Sequence, residues 1–260
     1  PRAGRRRLLA VALAAGVPLA VGGVELAAAA RAPASAVVLS VGDGDAVLLT
    51  GPGGHVLIDG GAAPGRLASA LGARLPPWVR ELDGLVVTSA GKGQTGGLAG
   101  LSLPARVLVI PDGPFPGAAW RTATLPSLTR GAGLLRLSAG QTLSLAGFEL
   151  EALAPERTDA DADPASIGLA LRVRGPGGRS FCELADLDPD AQLAAAARLP
   201  GPCDYLLLPS GGKSAPADGV LAAARAARLI ASTAGGRLDR GFAGGLVERT
   251  DQVGDVALPL

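Results

Sequence analysis

Between Leu82 and Leu101 the chain passes from a short apolar run, Leu82-Asp83-Gly84-Leu85-Val86-Val87, through Thr-Ser-Ala-Gly-Lys-Gly-Gln-Thr-Gly-Gly at residues 88–97, into Leu98-Ala99-Gly100-Leu101. The run reads as a buried strand and the segment after the corner as the start of a helix or turn. Such a corner is where layered α/β folds place chemistry, yet this one carries no His, Cys, Asp or Glu. It constrains the architecture strongly and offers almost nothing that could catalyse.

The rest of the chain repeats the alternation. Ala36-Val37-Val38-Leu39-Ser40 and Ala46-Val47-Leu48-Leu49-Thr50 read as strands, Gly51-Pro52-Gly53-Gly54 as a hairpin turn, and His55-Val56-Leu57-Ile58 as the return. Leu67, Leu71 and Leu75 recur at four-residue spacing and predict a helix over residues 66–75. Residues 107–110 predict a further buried strand, 113–117 a Pro/Gly loop, and 134–153 several short strands with turns at Ala139-Gly140 and Ala146-Gly147. The acidic stretch 156–164 reads as an exposed loop, and residues 169–174, alternating apolar and basic, as a half-buried strand. Ala-rich helices are expected over 189–199 and 216–228, with strands at 205–208 and 229–231.

A length of 260 residues with 48% hydrophobic content suits one domain with a large core plus an appendage. At 3% aromatic residues that core must be packed from Leu, Val and Ala. The net charge of +1 provides no overall field to draw in nucleic acid. The appendage is N-terminal. Arg5-Arg6-Arg7 precedes an apolar stretch from Leu8 to Val24, interrupted at Glu25 and resumed to Ala30. With ~20 apolar residues needed to cross a bilayer, this segment is just long enough. The arginines predict a cytoplasmic N-terminal flank and an extracytoplasmic globular domain. Ala27-Ala28-Ala29-Ala30 also fits a signal-peptide cleavage site. Pro1 in place of Met points to the C-terminal part of a longer chain. The expected organisation is a transmembrane-like segment over 1–30, a linker over 31–35 and a domain over 36–260.

Six motifs occur in a recognisable order. Ser40-Val41-Gly42-Asp43-Gly44-Asp45-Ala46 resembles DVGQGDA, and Asp59-Gly60-Gly61 resembles the end of IDGG. Thr88, Gly96, Gly97 and Leu98 match the frame of THPHADHIGGL. Phe181-Cys182-Glu183-Leu184-Ala185-Asp186-Leu187 is similar to FLLTGDL, and Leu208-Pro209-Ser210-Gly211-Gly212-Lys213 sits where PHHGS would be. Arg249-Thr250-Asp251 with Gly254-Asp255-Val256 resembles a closing RTD-dG-V strand pair. In this order they resemble the metallo-β-lactamase domain of ComEC-type competence proteins, polytopic membrane proteins of DNA uptake. The resemblance implies a four-layer αββα sandwich of the α/β (α+β) class preceded by a membrane helix. In an intact member it implies metal-dependent nuclease or phosphodiesterase activity.

Here the metal-ligand positions of that family are filled by Ser89, Gly91, Gly93 and Gln94, with Ser210 in the later motif, and only Asp186 keeps its carboxylate. These six form a vestigial site. No catalytic residue, metal ligand or cofactor is expected, because a zinc pair needs several imidazole or carboxylate ligands. The lone histidine, His55, reads as a solvated turn residue. Two other readings stay open. One is a hydrolase with replaced ligands built on Asp186, Asp59 and Asp45. The other is a secreted domain that binds an anion near Lys92 and Lys213, although neither lysine completes a P-loop. Ser89 and Ser210 lack a histidine base and are not nucleophile candidates. Cys182 and Cys203 can form a disulfide outside the cytoplasm, but the sequence favours two buried thiols used as small apolar residues. Expected partners are the membrane and the channel portion of the same longer chain, with DNA implied by the resemblance alone.

Overall fold

The first strands are apolar on both faces, and this settles how many layers are needed. In β1 (Ser35–Val38), β2 (Val47–Gly51) and β3 (Gly54–Ile58), Val38, Val47, Leu49, Val56 and Ile58 enter one core. Val37, Leu48 and Leu57 enter another on the opposite face. A sheet buried on both sides must be covered on both sides. The computed structural model of the protein describes residues 33–113, 117–156, 167–242 and 247–260. The expected membrane segment and most of the acidic loop lie outside them. Among the described residues no helix is long and apolar enough to cross a membrane.

Two seven-stranded mixed sheets make up the sandwich. The first continues through β4 (Leu82–Val86), β5 (Ala105–Pro111) and β6 (Gly133–Leu137), and it is closed by β14 (Val256–Pro259) in the order β14-β1-β2-β3-β4-β5-β6. The second holds β7 (Thr142–Leu145), β8 (Phe148–Ala152), β9 (Leu171–Arg174), β10 (Ser180–Glu183), β11 (Tyr205–Leu207), β12 (Arg228–Ala231) and β13 (Val247–Arg249) in the order β13-β12-β11-β10-β9-β8-β7. Each sheet changes from antiparallel to parallel pairing partway across, at β3–β4 in the first and β10–β11 in the second.

The inner core joins the facing sides of both sheets: Val38, Leu49, Ile58 and Val86 meet Leu150, Val173, Phe181 and Leu207. On the outer face of the first sheet, α1 (Pro64–Arg74) packs Leu67 and Leu71, the four-residue spacing expected of that helix. Beside it run the short α2 (Lys92–Thr95), a 3-10 turn over Gly96–Gly100, and α3 (Gly117–Thr129). The second sheet is covered by α4 (Pro189–Ala197) and α5 (Val220–Ala224), whose Ala195, Ala196, Val220 and Ala224 share a core with Cys182 and Leu206. Asp188 caps α4 by accepting from Ala191 N at 2.9 Å.

Several expectations need correction. α3 was not anticipated, because Thr, Ser and an internal Pro126 lower its helical signal. The helix expected over 216–228 is confined to Val220–Ala224, since Gly219 and Arg225 at its two ends take left-handed backbone angles. Arg172 is buried rather than solvent-facing, and its guanidinium lies 3.8 Å from Glu151 on the neighbouring strand. The closing strands do not pair: β13 joins the second sheet and β14 the first, with α6 (Thr250–Val253) between them. Finally, Cys182 and Cys203 form a disulfide instead of two thiols, with Cα atoms 6.0 Å apart. Cys182 lies on β10 and Cys203 just ahead of the parallel β11, so the sheet itself brings them together.

The bond closes a loop of sequence separation 21 inside a buried core. Replacing both cysteines with serine is expected to lower the unfolding free energy by about 3 kcal/mol, read from urea denaturation. Identical wild-type midpoints with and without reductant would mean that the bond contributes nothing.

Candidate functional site

Three glycine-rich corners meet where the strands of the first sheet end. Asp45 N donates to Gly93 O at 3.1 Å, Gly60 N to Gln94 O at 2.8 Å, Gly61 N to Asp45 O at 2.7 Å and Gly97 N to Gly61 O at 2.7 Å. This backbone contact tolerates no side chain at its crossing points. A Cβ on Gly44 would overlap Gly93 O, and one on Gly97 would overlap Gly60 O. The glycines recognisable in the sequence are therefore those that let the corners touch.

Four carboxyl groups converge from this frame and from the second sheet. Asp59 follows β3, is fully buried, and accepts from Thr88 N at 2.8 Å and Thr88 Oγ1 at 2.5 Å. Asp45 is buried in the loop between β1 and β2. Glu183 ends β10 on the inner face with Phe181, and Asp186 follows it in an exposed turn. Asp59, Ala185 and Ser210 all have positive φ, at 56°, 51° and 52°, so strained backbone gathers around this site.

Gln94 occupies the centre. Its amide nitrogen donates to Asp186 Oδ2 at 2.8 Å and lies 3.5 Å from Asp45 Oδ2. Asp186 Oδ1 accepts from Ser210 N at 2.9 Å and from Ser210 Oγ at 3.4 Å. Of the vestigial residues, Gln94, Asp186 and Ser210 are thus brought together. Ser89 accepts from Gly91 N at 3.3 Å, and Gly91 and Gly93 contribute only backbone. Lys92 is exposed, while Lys213 is paired with Asp43 at 2.5 Å, so one of the two lysines weighed for an anion already has a carboxylate. His55 is half-buried on β3, with Nδ1 3.3 Å from Thr50 Oγ1, remote in role from the acids.

Glu183 escapes a sequence reading because it ends a four-residue strand, Ser180–Glu183, at a position where a leucine would be unremarkable. Both its carboxylate oxygens lack a hydrogen-bond partner, as do Asp45 Oδ1 and Gln94 Oε1. Burial pushes the Glu183 carboxyl far up, and the charges adding to the effect are all acidic: Asp59, Asp45 and Asp186. Asp45 is raised by burial and then by Asp186 and Asp59. Asp59 is pushed up to about 7 by burial, against the opposing pull of its Thr88 hydrogen bonds.

This donor set does not suit a hydrolytic metal pair. Glycine has no side-chain ligand atom, Asp59 is committed to Thr88, and the Gln94 N–H group occupies the space between the Asp45 and Asp186 carboxyl groups. Among the described residues no group of three His, Cys, Asp or Glu is placed to hold a metal ion.

The buried acids make stability depend on pH with a definite sign. Their folded pKa values exceed the unfolded ones, so the native state holds more protons above about pH 4, where free carboxyls ionise. Stability is then expected to fall as pH rises from about 4 towards the raised folded values, about 7 for Asp59, each unit of displacement being worth about 1.4 kcal/mol. Asp43 and Asp251 are shifted downward by Lys213 and Arg249, so their opposing effect is confined to more acidic conditions. Glu183→Leu should raise Tm by several degrees at pH 8 and much less at pH 5. An equal shift at both values, or wild-type stability that climbs from pH 5 to 8, would contradict protonated buried acids.

Neither a family model nor a curated protein matches the chain. Solved structures do. The metallo-β-lactamase fold protein YhfI from Bacillus subtilis superposes with a TM-score of 0.56 at 12% identity, over 87% of this chain and 99% of that one. CmlA, a diiron β-hydroxylase from Streptomyces venezuelae, gives a TM-score of 0.54 at 16% identity over 88% of this chain. The E377D mutant of the CmlA β-hydroxylase gives 0.57, also at 16%. This chain spans about half the length of CmlA, 55% and 54% in the two structures. At these identities the likeness is one of fold: a two-sheet mixed α/β sandwich of the metallo-β-lactamase type.

Proposed function

We propose that this chain is a non-catalytic metallo-β-lactamase-like domain of a ComEC-type membrane protein involved in DNA uptake, a structural or docking module on the extracytoplasmic face. The observation that carries the reading is the Gln94 side chain, whose amide lies between Asp45 and Asp186 at the centre of the site. A neutral side chain there links the two carboxyl groups by hydrogen bonds, with no cation needed to join them. The order of the motifs from Ser40 to Val256 supports the ComEC-type assignment. The Cys182–Cys203 disulfide supports an oxidising, extracytoplasmic location.

A metal-dependent hydrolase with replaced ligands is the second reading, favoured by the convergence of Asp45, Asp59 and Asp186 with Glu183. Metal analysis and thermal shift separate the two. On the proposed reading, purified protein carries no stoichiometric zinc or manganese and its Tm is unchanged by either ion. It also leaves single- and double-stranded DNA intact with added divalent metal. DNA cleavage abolished by Asp186→Ala would establish the hydrolase. Gln94→Ala should cost about 1 kcal/mol, since it removes the donor to Asp186 in its exposed turn and the longer contact to buried Asp45.

Orientation is tested separately on the full chain in intact cells. External protease is expected to remove the domain and leave a membrane-bound stub containing residues 8–30. Protection of the whole domain would reverse the orientation, and spontaneous release of soluble domain would make that segment a signal peptide.

A further inference from the structure

The chain carries a second surface unrelated to the acidic cluster. Beside α1 and the turn that follows it lies an open groove of about 650 Å³, lined by Leu67, Leu71, Leu75, Pro77, Val79 and Leu103. The turn is fixed by its own backbone: Leu75 N donates to Leu71 O at 2.8 Å and Val79 N to Pro76 O at 3.0 Å. Two consecutive prolines, Pro76 and Pro77, stiffen it further. Trp78 sits in that rigid turn with 48% of its surface exposed, an unusual place for one of only two tryptophans in a chain that is 3% aromatic.

The one charged side chain among the residues lining the groove is Arg80. Arg74 is paired with Asp255, and Arg106 with both Glu81 and Asp83. Arg80 lines the groove, is exposed, and forms no ion pair among the described residues. Arg130 donates to the carbonyl of Ser102, one of the lining residues, at 3.2 Å. An exposed indole, aliphatic and prolyl side chains, and an arginine on one rigid turn are the chemistry that settles at the boundary between lipid headgroups and acyl chains. There a Trp ring is half apolar and half wet, and a guanidinium meets phosphate. A soluble ligand in the groove would account for the leucines but not for a ring exposed beside it.

We propose that the turn at residues 75–80, led by Trp78 and Arg80, is a contact surface for an anionic lipid bilayer. The inference deepens the membrane reading given above, and its test distinguishes the two. The full chain carrying Trp120→Phe, so that Trp78 alone fluoresces, is reconstituted with phosphatidylcholine and phosphatidylglycerol in roughly a 7:3 ratio. Brominated acyl chains serve as quenchers, and flotation of the vesicles reports attachment independently. Trp78 emission is expected to shift to the blue and to be quenched by the brominated lipid. Arg80→Glu should abolish that quenching while flotation persists. Protein that floats with Trp78 unquenched and open to aqueous iodide overturns the contact surface and leaves membrane attachment intact. Quenching at high lipid without stable flotation supports the contact and overturns the anchor, and neither signal overturns both. Should Trp120→Phe fail to fold, the difference between wild type and Trp78→Phe reads the same emission.

Discussion

The crossing of three glycine corners is the contact on which the rest of the molecule depends. Where residues 42–45, 59–61 and 91–97 meet, backbone donates to backbone, and the separation leaves no room for a methyl group at Gly44 or Gly97. That contact sets the exit angles of β3 and β4 and the entry of α1 and the 3-10 turn. It also fixes Asp45 and Asp59 in the interior. Thr88 then satisfies Asp59, and its own carbonyl accepts from Leu169 N at 2.7 Å, tying the second half of the chain to the first. Ser232 Oγ adds another tie by donating to Gly44 O at 2.7 Å. The Gly-Asp-Gly, Asp-Gly-Gly and Gly-Gly corners legible in the sequence are the parts of this joint.

This explains which features could be read in advance. Strands such as Val47-Leu48-Leu49 and the α1 stripe of Leu67 and Leu71 are visible because local pattern and tertiary burial agree. The Gly-Asp-Gly and Asp-Gly-Gly corners are visible because only glycine fits them. Less legible are features decided at a distance. Glu183 looks like one polar residue in a short strand, and only the assembled fold brings it under the influence of Asp59, Asp45 and Asp186. The assignment of β13 and β14 to opposite sheets is a property of topology, and no local signal encodes it. The disulfide depends on the parallel pairing of β10 with β11, which sequence spacing does not specify.

The site combines a hydrogen-bonded rim with an unsatisfied interior. At the rim, Ser210, Asp186 and Gln94 form a chain of donors and acceptors from the second half of the fold to the first. Beneath it, Glu183 and one oxygen of Asp45 lack donors. Buried acceptors without partners cost free energy when charged, and protonation is the least expensive remedy available to a carboxyl group. The interior thus favours neutral carboxyl groups over counter-ions, which sets it apart from pairs such as Arg228 with Glu248.

The pairing of β1 with β14 has a consequence for how the molecule comes into being. Ser35 lies opposite Pro259, and Leu260 N donates to Ala34 O at 2.9 Å, so the first strand is flanked on one side by the last. During synthesis β1 and β2 can form a ladder at once, but the free edge of β1 stays uncovered until residues 256–259 have been made. Contacts this distant in sequence form slowly, and an uncovered strand edge invites pairing with other chains. A nascent chain therefore carries its first sheet incomplete throughout the translation of the second. Truncation of a few C-terminal residues would expose the first strand of the sandwich instead of merely shortening its last.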